Sequence, residues 1–247
     1  MSLTAALPFL PPPVPTLPRS SSWSRWRAHF ERNRHRPLPP TAEAVDLPPA
    51  VVSLLARSLA RFQIGETGEG RIVGAVARSQ MVGIDDDYRR ALALFIAEEG
   101  RHAHILAGLV RALGGELLSA TWTERLFVAV RRLAGIRCKL LVMFAAEVVG
   151  AGFYRALASG LPPGATRSAL EQIAGDEQAH LRFHRQFFAI QAWGGWRRLL
   201  FLAAWFPLAH AASLAVLWDH RHTLRALGIP RREITGRLQA LVREGAR

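Results

Sequence analysis

EQIAGDEQAH, residues Glu171–His180, sets a carboxylate and an imidazole three positions apart inside an otherwise apolar helical run. Three residues turn a helix through about 300°, so Glu177 and His180 share one face. Neighbouring apolar residues turn that face inward. An interior excludes such groups unless they are paired or bound to something.

The same spacing occurs earlier in the chain. AEEGRH (97–102) holds Glu99 and His102 three residues apart. A lone Glu147 lies in apolar company within VMFAAEVVGAGFY (142–154), and FQIGETGEGRIV (62–73) carries Glu66 and Glu69. The two halves therefore match: a glutamate, then Glu-x-x-His one helix later. Glu147 precedes Glu177 by 30 residues; Glu69 precedes Glu99 by 30, and Glu66 by 33. Four carboxylates and two imidazoles converging in a core cannot persist as bare charges, since each buried unpaired ion costs several kcal/mol. Two divalent cations would neutralise the four negative charges. A single Glu-x-x-His is ordinarily a surface patch or a hydrogen-bonded core histidine; the doubled set, each preceded by a buried glutamate, is specific.

The chain around these motifs reads as helix after helix. A first helix is expected from LPPAVVSLLARSLARF (47–62) to about Gln80. The acidic 85–87 run suits the positive end of a second, ending near Gly114-Gly115. Thr121 with Glu124 makes a capping box for a third, which ends near Gly160, and a fourth runs from about 165 to Gln191. No alternating strand pattern competes. Four long helices with short connections imply an all-α antiparallel bundle.

This arrangement, a Glu from each of two helices and Glu-x-x-His from each of the other two, resembles the ferritin-like di-iron carboxylate superfamily over roughly residues 50 to 190. GETGEGRIV (65–73) is similar to the first-helix motif of the demethoxyubiquinone hydroxylases, with Val73 where that family has tyrosine. The resemblance implies a metal set of Glu66, Glu99, His102, Glu147, Glu177 and His180. In it Glu99 and Glu177 bridge, Glu66 and Glu147 are terminal, and each histidine holds one metal. The hydroxylase-like motif favours Glu66, whereas the equal 30-residue spacing favours Glu69; Glu66 is the reading adopted. Two iron ions are expected, with manganese as the alternative, because oxygen-rich ligation suits them better than structural zinc. Tyr154, two turns beyond Glu147, and His184, one turn beyond His180, are expected beside the metals rather than on them.

The superfamily's chemistry implies an enzyme, a di-iron oxidase or oxygenase that uses O₂ to oxidise or hydroxylate a small, apolar organic substrate. A rubrerythrin-like peroxidase or iron-handling protein is the alternative, and a metal-free basic interaction module the next. Neither a rubredoxin-like cysteine knuckle nor a flavin fingerprint occurs, so a separate electron donor is implied. Cys138, the one cysteine of 247 residues, excludes an intrachain disulfide framework and fits a reducing, cytoplasmic compartment.

The ends of the chain differ from its middle. Residues 1–46 are rich in proline and arginine, and read as an unstructured, solvated basic arm despite Trp23, Trp26 and Phe30. Net charge is +13, almost all of it from arginine interspersed with acids. Nucleic acid is therefore not expected as a partner. Beyond the bundle (47–192), residues 193–247 are expected to add C-terminal apolar helices. LLFLAAWFPLAHAASLAVLW (199–218) carries no formal charge and has tryptophan and arginine on both sides. Pro207, His210 and Ser213 argue against a span, leaving an added helix pair first and peripheral membrane contact second.

Overall fold

The structure is a computed structural model and describes residues 21–42, 45–67, 70–120, 122, 135–192 and 194–247. Among the described residues the chain is all-α, with no strand. Its helices are α1 (Ser21–Arg34), α2 (Pro49–Glu66), α3 (Gly70–Ala77), α4 (Asp86–Ala112), α5 (Ile136–Ser159), α6 (Ala165–Gln191), α7 (Gly195–Asp219), α8 (Arg221–Ala226) and α9 (Arg231–Gly245).

Local chemistry sets the boundaries. Asp85 caps α4 by accepting from the Tyr88 amide at 2.8 Å, and Asp86 and Asp87 follow in the positive first turn. Gly114, at φ 70°, takes the left-handed conformation just past the end of α4. The single first helix expected over 47–80 is two helices, with the glycine-rich 65–70 stretch at their junction. The capping box at Thr121 and Glu124 lies outside the described residues.

The helices that carry the motifs pack side by side: α2 on α4, α5 on α6, and α4 against α6. α5 is buried nearly all round, with residues from Leu140 to Ala158 turned into the core on every side. Small residues make this possible. A Cβ at Gly152 would meet Leu238 Cδ2 of α9 at 2.5 Å, so α9 rests directly on the α5 backbone.

One expectation is corrected here. Residues 21–34, read as part of an unstructured arm, form α1, which lies along α4. Trp23 and Phe30 are 2% and 1% exposed, which places them in the core. Trp23 meets Tyr88 edge-on at 4.9 Å, and Phe30 meets Phe183 at 5.5 Å. Arg27 pairs with Asp87 at 2.7 Å, and Trp26 donates to Gln186 at 2.9 Å. The aromatic side chains bury enough apolar area to order a segment whose composition alone reads as a solvated tail. Residues 1–20 of that arm lie outside the described residues.

The C-terminal helices pack on the rest. Trp205 of α7 stacks on Phe144 at 4.3 Å and donates to the Val242 carbonyl at 2.9 Å. At the start of α8, a buried cluster ties it to α2: Ser58 Oγ lies 2.8 Å from His220 Nδ1 and 2.7 Å from Thr223 Oγ1.

Candidate metal centre

Each packed helix delivers its polar residues to one place. α4 brings Glu98, Glu99 and His102, while α6 brings Asp176, Glu177 and His180; all six are buried. From Glu99, His102, Glu177 and His180, one donor atom each lies within 4.8 Å of the others. His180 Nδ1 is 2.8 Å from Glu99 Oε1, and His102 Nδ1 is 3.2 Å from Glu177 Oε1. These four residues could hold a metal ion.

Two glutamates join them from the remaining helices. Glu147 of α5 puts Oε2 3.2 Å from His180 Nδ1. Glu66, the last residue of α2, accepts a hydrogen bond from the Tyr154 hydroxyl at 2.5 Å. Its stem is partly exposed while its carboxylate faces Glu99 and Tyr154. All six candidate ligands therefore meet in one region. Glu69, the alternative to Glu66, lies outside the described residues. His184 is fully buried among Phe95, Phe144 and Phe183, with neither ring nitrogen hydrogen-bonded. It stands apart from the four-residue set, and His104 is exposed.

The two imidazoles are held alike. Each turns Nδ1 toward the carboxylates and Nε2 away, and each Nε2 meets a further carboxylate on the opposite helix. His180 Nε2 lies 3.0 Å from Glu98 Oε2, and His102 Nε2 lies 3.3 Å from Asp176 Oδ2. Arg36, just past α1, donates to that same Asp176 oxygen. Arg101 in turn fixes the Arg36 carbonyl at 2.5 Å. A carboxylate on the outer nitrogen fixes the ring's orientation and tautomer and raises the basicity of the inner one. Sequence reasoning missed Glu98, Asp176 and Arg36. The signal was present for the first two, because an acid immediately precedes each Glu-x-x-His.

A cation fits what these atoms lack. Glu99 Oε1, Glu177 Oε1 and His102 Nδ1 are buried and make no hydrogen bond, though all point into the cluster. Orphaned buried polar atoms are costly, and three aimed at one point are relieved together by a positive ion.

The electrostatics of the metal-free cluster show the same need. Burial, then the charges of Glu99 and Glu177, pushes the Glu66 and Glu147 carboxyls well above the usual range. Burial would raise Glu177 too, but the His102 and His180 imidazoles beside it hold it below the usual range. Burial opposes protonation of His102, yet the Asp176 and Glu177 carboxylates beside its ring lift it to about 9. His180 is lifted likewise, chiefly by Glu99 once the opposing effect of burial is overcome. Without a cation, the cluster balances its charge with protons, which a bound metal would displace.

Gly150 keeps the space beside Glu177 clear. A Cβ there would lie 3.2 Å from Glu177 Oε2 and 3.5 Å from the Tyr154 ring. Glu147, Gly150 and Tyr154 follow at i, i+3 and i+7, so one face of α5 forms this wall of the cluster.

Comparison of the chain with protein-family models, with curated proteins and with solved structures finds no match.

Proposed function

We propose that the chain is a ferritin-like di-metal carboxylate protein, an oxidoreductase that uses O₂ to oxidise or hydroxylate a small organic substrate. The observation that carries this reading is the convergence of Glu99, His102, Glu177 and His180, with buried donor atoms that no hydrogen bond satisfies. Glu66 and Glu147, arriving from two further helices, complete a set sufficient for two ions. Oxygen and nitrogen donors with no cysteine favour iron, or manganese, over structural zinc. Bound there, a redox-active metal pair supplies the electrons and the open coordination that O₂ activation requires.

The chain's own residues set the conditions for that chemistry. Glu98 and Asp176 hold the two rings at fixed angles. Phe30 and Phe95 pack on His180 and exclude water on that side. Tyr154 keeps its proton, because burial and then the Glu66 charge push its phenol well above the usual value, and it orients Glu66 through that proton. The electron donor is a separate protein.

Metal content decides the matter. Protein purified without a metal-affinity tag and loaded aerobically with ferrous iron is expected to hold about two ions per chain. Reproducible loading below one equivalent overturns the reading. Loaded protein that consumes hydrogen peroxide rapidly, but O₂ no faster than free iron, belongs instead to a peroxidase.

A further inference from the structure

Among the described residues, α7 carries an uncovered apolar surface on the far side from the residues it buries. Two helices are long and apolar enough to cross a membrane, α5 and α7. The α5 window is 89% buried and serves the core, whereas the α7 window is only 33% buried. Trp205, Ala209, Ala212 and Val216 face the neighbouring helices. Trp196, Leu199, Leu200, Leu214 and Trp218 are 60–68% exposed. With Ala203, Ala204, Pro207 and Ala211 between them, also exposed, these form one face at helical spacing that carries no charge. The one polar group on it, His210, turns Nδ1–H to the Phe206 carbonyl at 2.7 Å. At 1.5 Å per residue, the helix is roughly 37 Å long. So long a contiguous apolar face on a surface helix marks an interaction site.

The ends of the helix identify the partner. At one end, the Arg197 guanidinium lies 5.6 Å from the Trp196 ring centre. At the other, Arg221 lies 4.2 Å over Trp218. Beyond it, Arg225 and Arg231 line an open groove of about 730 Å³ walled by Leu214, Leu217 and Ile229, with no acidic side chain in its lining. Neither arginine has an ion-pair partner among the described residues. A second copy of the chain is a poor cover. Both ends of α7 are basic, so either orientation of a second α7 sets arginine against arginine. Anionic headgroups meet both ends at once, and tryptophan suits the boundary between them and the acyl chains. The Trp205 hydrogen bond and the buried half of the helix commit one face to protein, the arrangement of a helix lying on an interface.

We propose that α7 docks the protein flat on an anionic bilayer surface, its Trp196–Trp218 face in the interface and Arg197, Arg221, Arg225 and Arg231 among the headgroups. This goes beyond the metal reading and does not depend on it. Binding takes the form of an interfacial amphipathic helix, in which apolar area and electrostatic attraction act together.

Vesicle co-sedimentation of the full chain tests it, using phosphatidylcholine vesicles with and without phosphatidylglycerol. Wild-type protein is expected to bind the anionic vesicles at low salt and to be released as salt rises. Changing Arg225→Gln with Arg231→Gln is expected to lower partitioning roughly tenfold or more. Leu200→Asp with Leu214→Asp is expected to abolish it with the far-ultraviolet circular dichroism unchanged, since both side chains are exposed. Wild-type protein that stays unbound at low salt overturns the proposal. So does undiminished binding by the double aspartate variant. A dimer in light scattering that this variant dissociates, with no vesicle binding, assigns the face to a second copy instead. Metal content, measured on the same variants, is expected to be unchanged, so failure here leaves the di-metal reading standing.

Discussion

Glu98 on α4 reaches across to α6 and places Oε2 3.0 Å from Nε2 of His180, on the side of the ring turned away from the carboxylate cluster. Asp176 does the same in reverse for His102. The residue before each Glu-x-x-His thus supports the histidine of the other helix, so the two motifs are locked to one another as well as to any ion between them. Glu98→Gln and Asp176→Asn are each expected to weaken metal binding about 10- to 100-fold while leaving the fold intact. Competition against a chromophoric chelator measures this directly; unchanged affinity in both variants would contradict the positioning role.

Tyr154→Phe removes the donor to Glu66 Oε1 but keeps the ring among its neighbours. A buried carboxyl oxygen left without its partner costs about 1–3 kcal/mol. Urea unfolding of the metal-free protein is expected to show a loss of that size, with the slope unchanged.

Gly150→Ala separates packing from metal affinity. Alanine is the better helix former by roughly 1 kcal/mol, yet its Cβ would stand 3.2 Å from Glu177 Oε2. The metal-free protein is expected to melt no lower than wild type, and the rise in melting temperature on adding metal is expected to shrink. A full-sized rise would show that Glu177 shifts at no cost.

His220 makes stability pH-dependent away from the metal cluster. Burial, and then the charge of Arg61, lowers it from 6.5 to about 3. Between these values the unfolded chain binds the proton and the folded chain does not, so stability rises with pH. The contribution is fully present above pH 6.5 and is lost as pH falls toward 3, at up to about 1.4 kcal/mol per unit. His220→Gln is expected to flatten that part of a stability-against-pH profile measured by urea unfolding; an unaltered slope would place the dependence elsewhere.

Phe30→Ala tests whether α1 belongs to the core. Truncating a fully buried phenylalanine costs about 3–5 kcal/mol. A loss below 1 kcal/mol in urea would mean that α1 is loosely attached.

What was legible in the sequence was whatever carries a helical period. The pairing of Glu177 with His180, and of Glu99 with His102, follows from spacing alone, and so does the inward turn of Glu147. The limits of α4 and α6 were readable from acids, glycines and prolines. α1 was not, because its four arginines and the prolines on both sides dominate its composition. Its aromatic residues bury against side chains far away in sequence, such as Tyr88 and Phe183, and no local pattern records that. Arg36 was invisible for the same reason, since its partner Asp176 lies 140 residues away.

Of the six residues drawn to the cluster, Glu66 alone keeps part of its surface in solvent; the other five are at most 5% exposed. On the opposite flank Phe30 covers His180, its ring centre 5.8 Å from the imidazole. Among the described residues, the His180 side of the cluster is thus the covered one and the end of α2 the side nearest solvent. The Tyr154 hydroxyl, which holds the Glu66 carboxylate inward, therefore keeps a charge turned away from that solvent-side end.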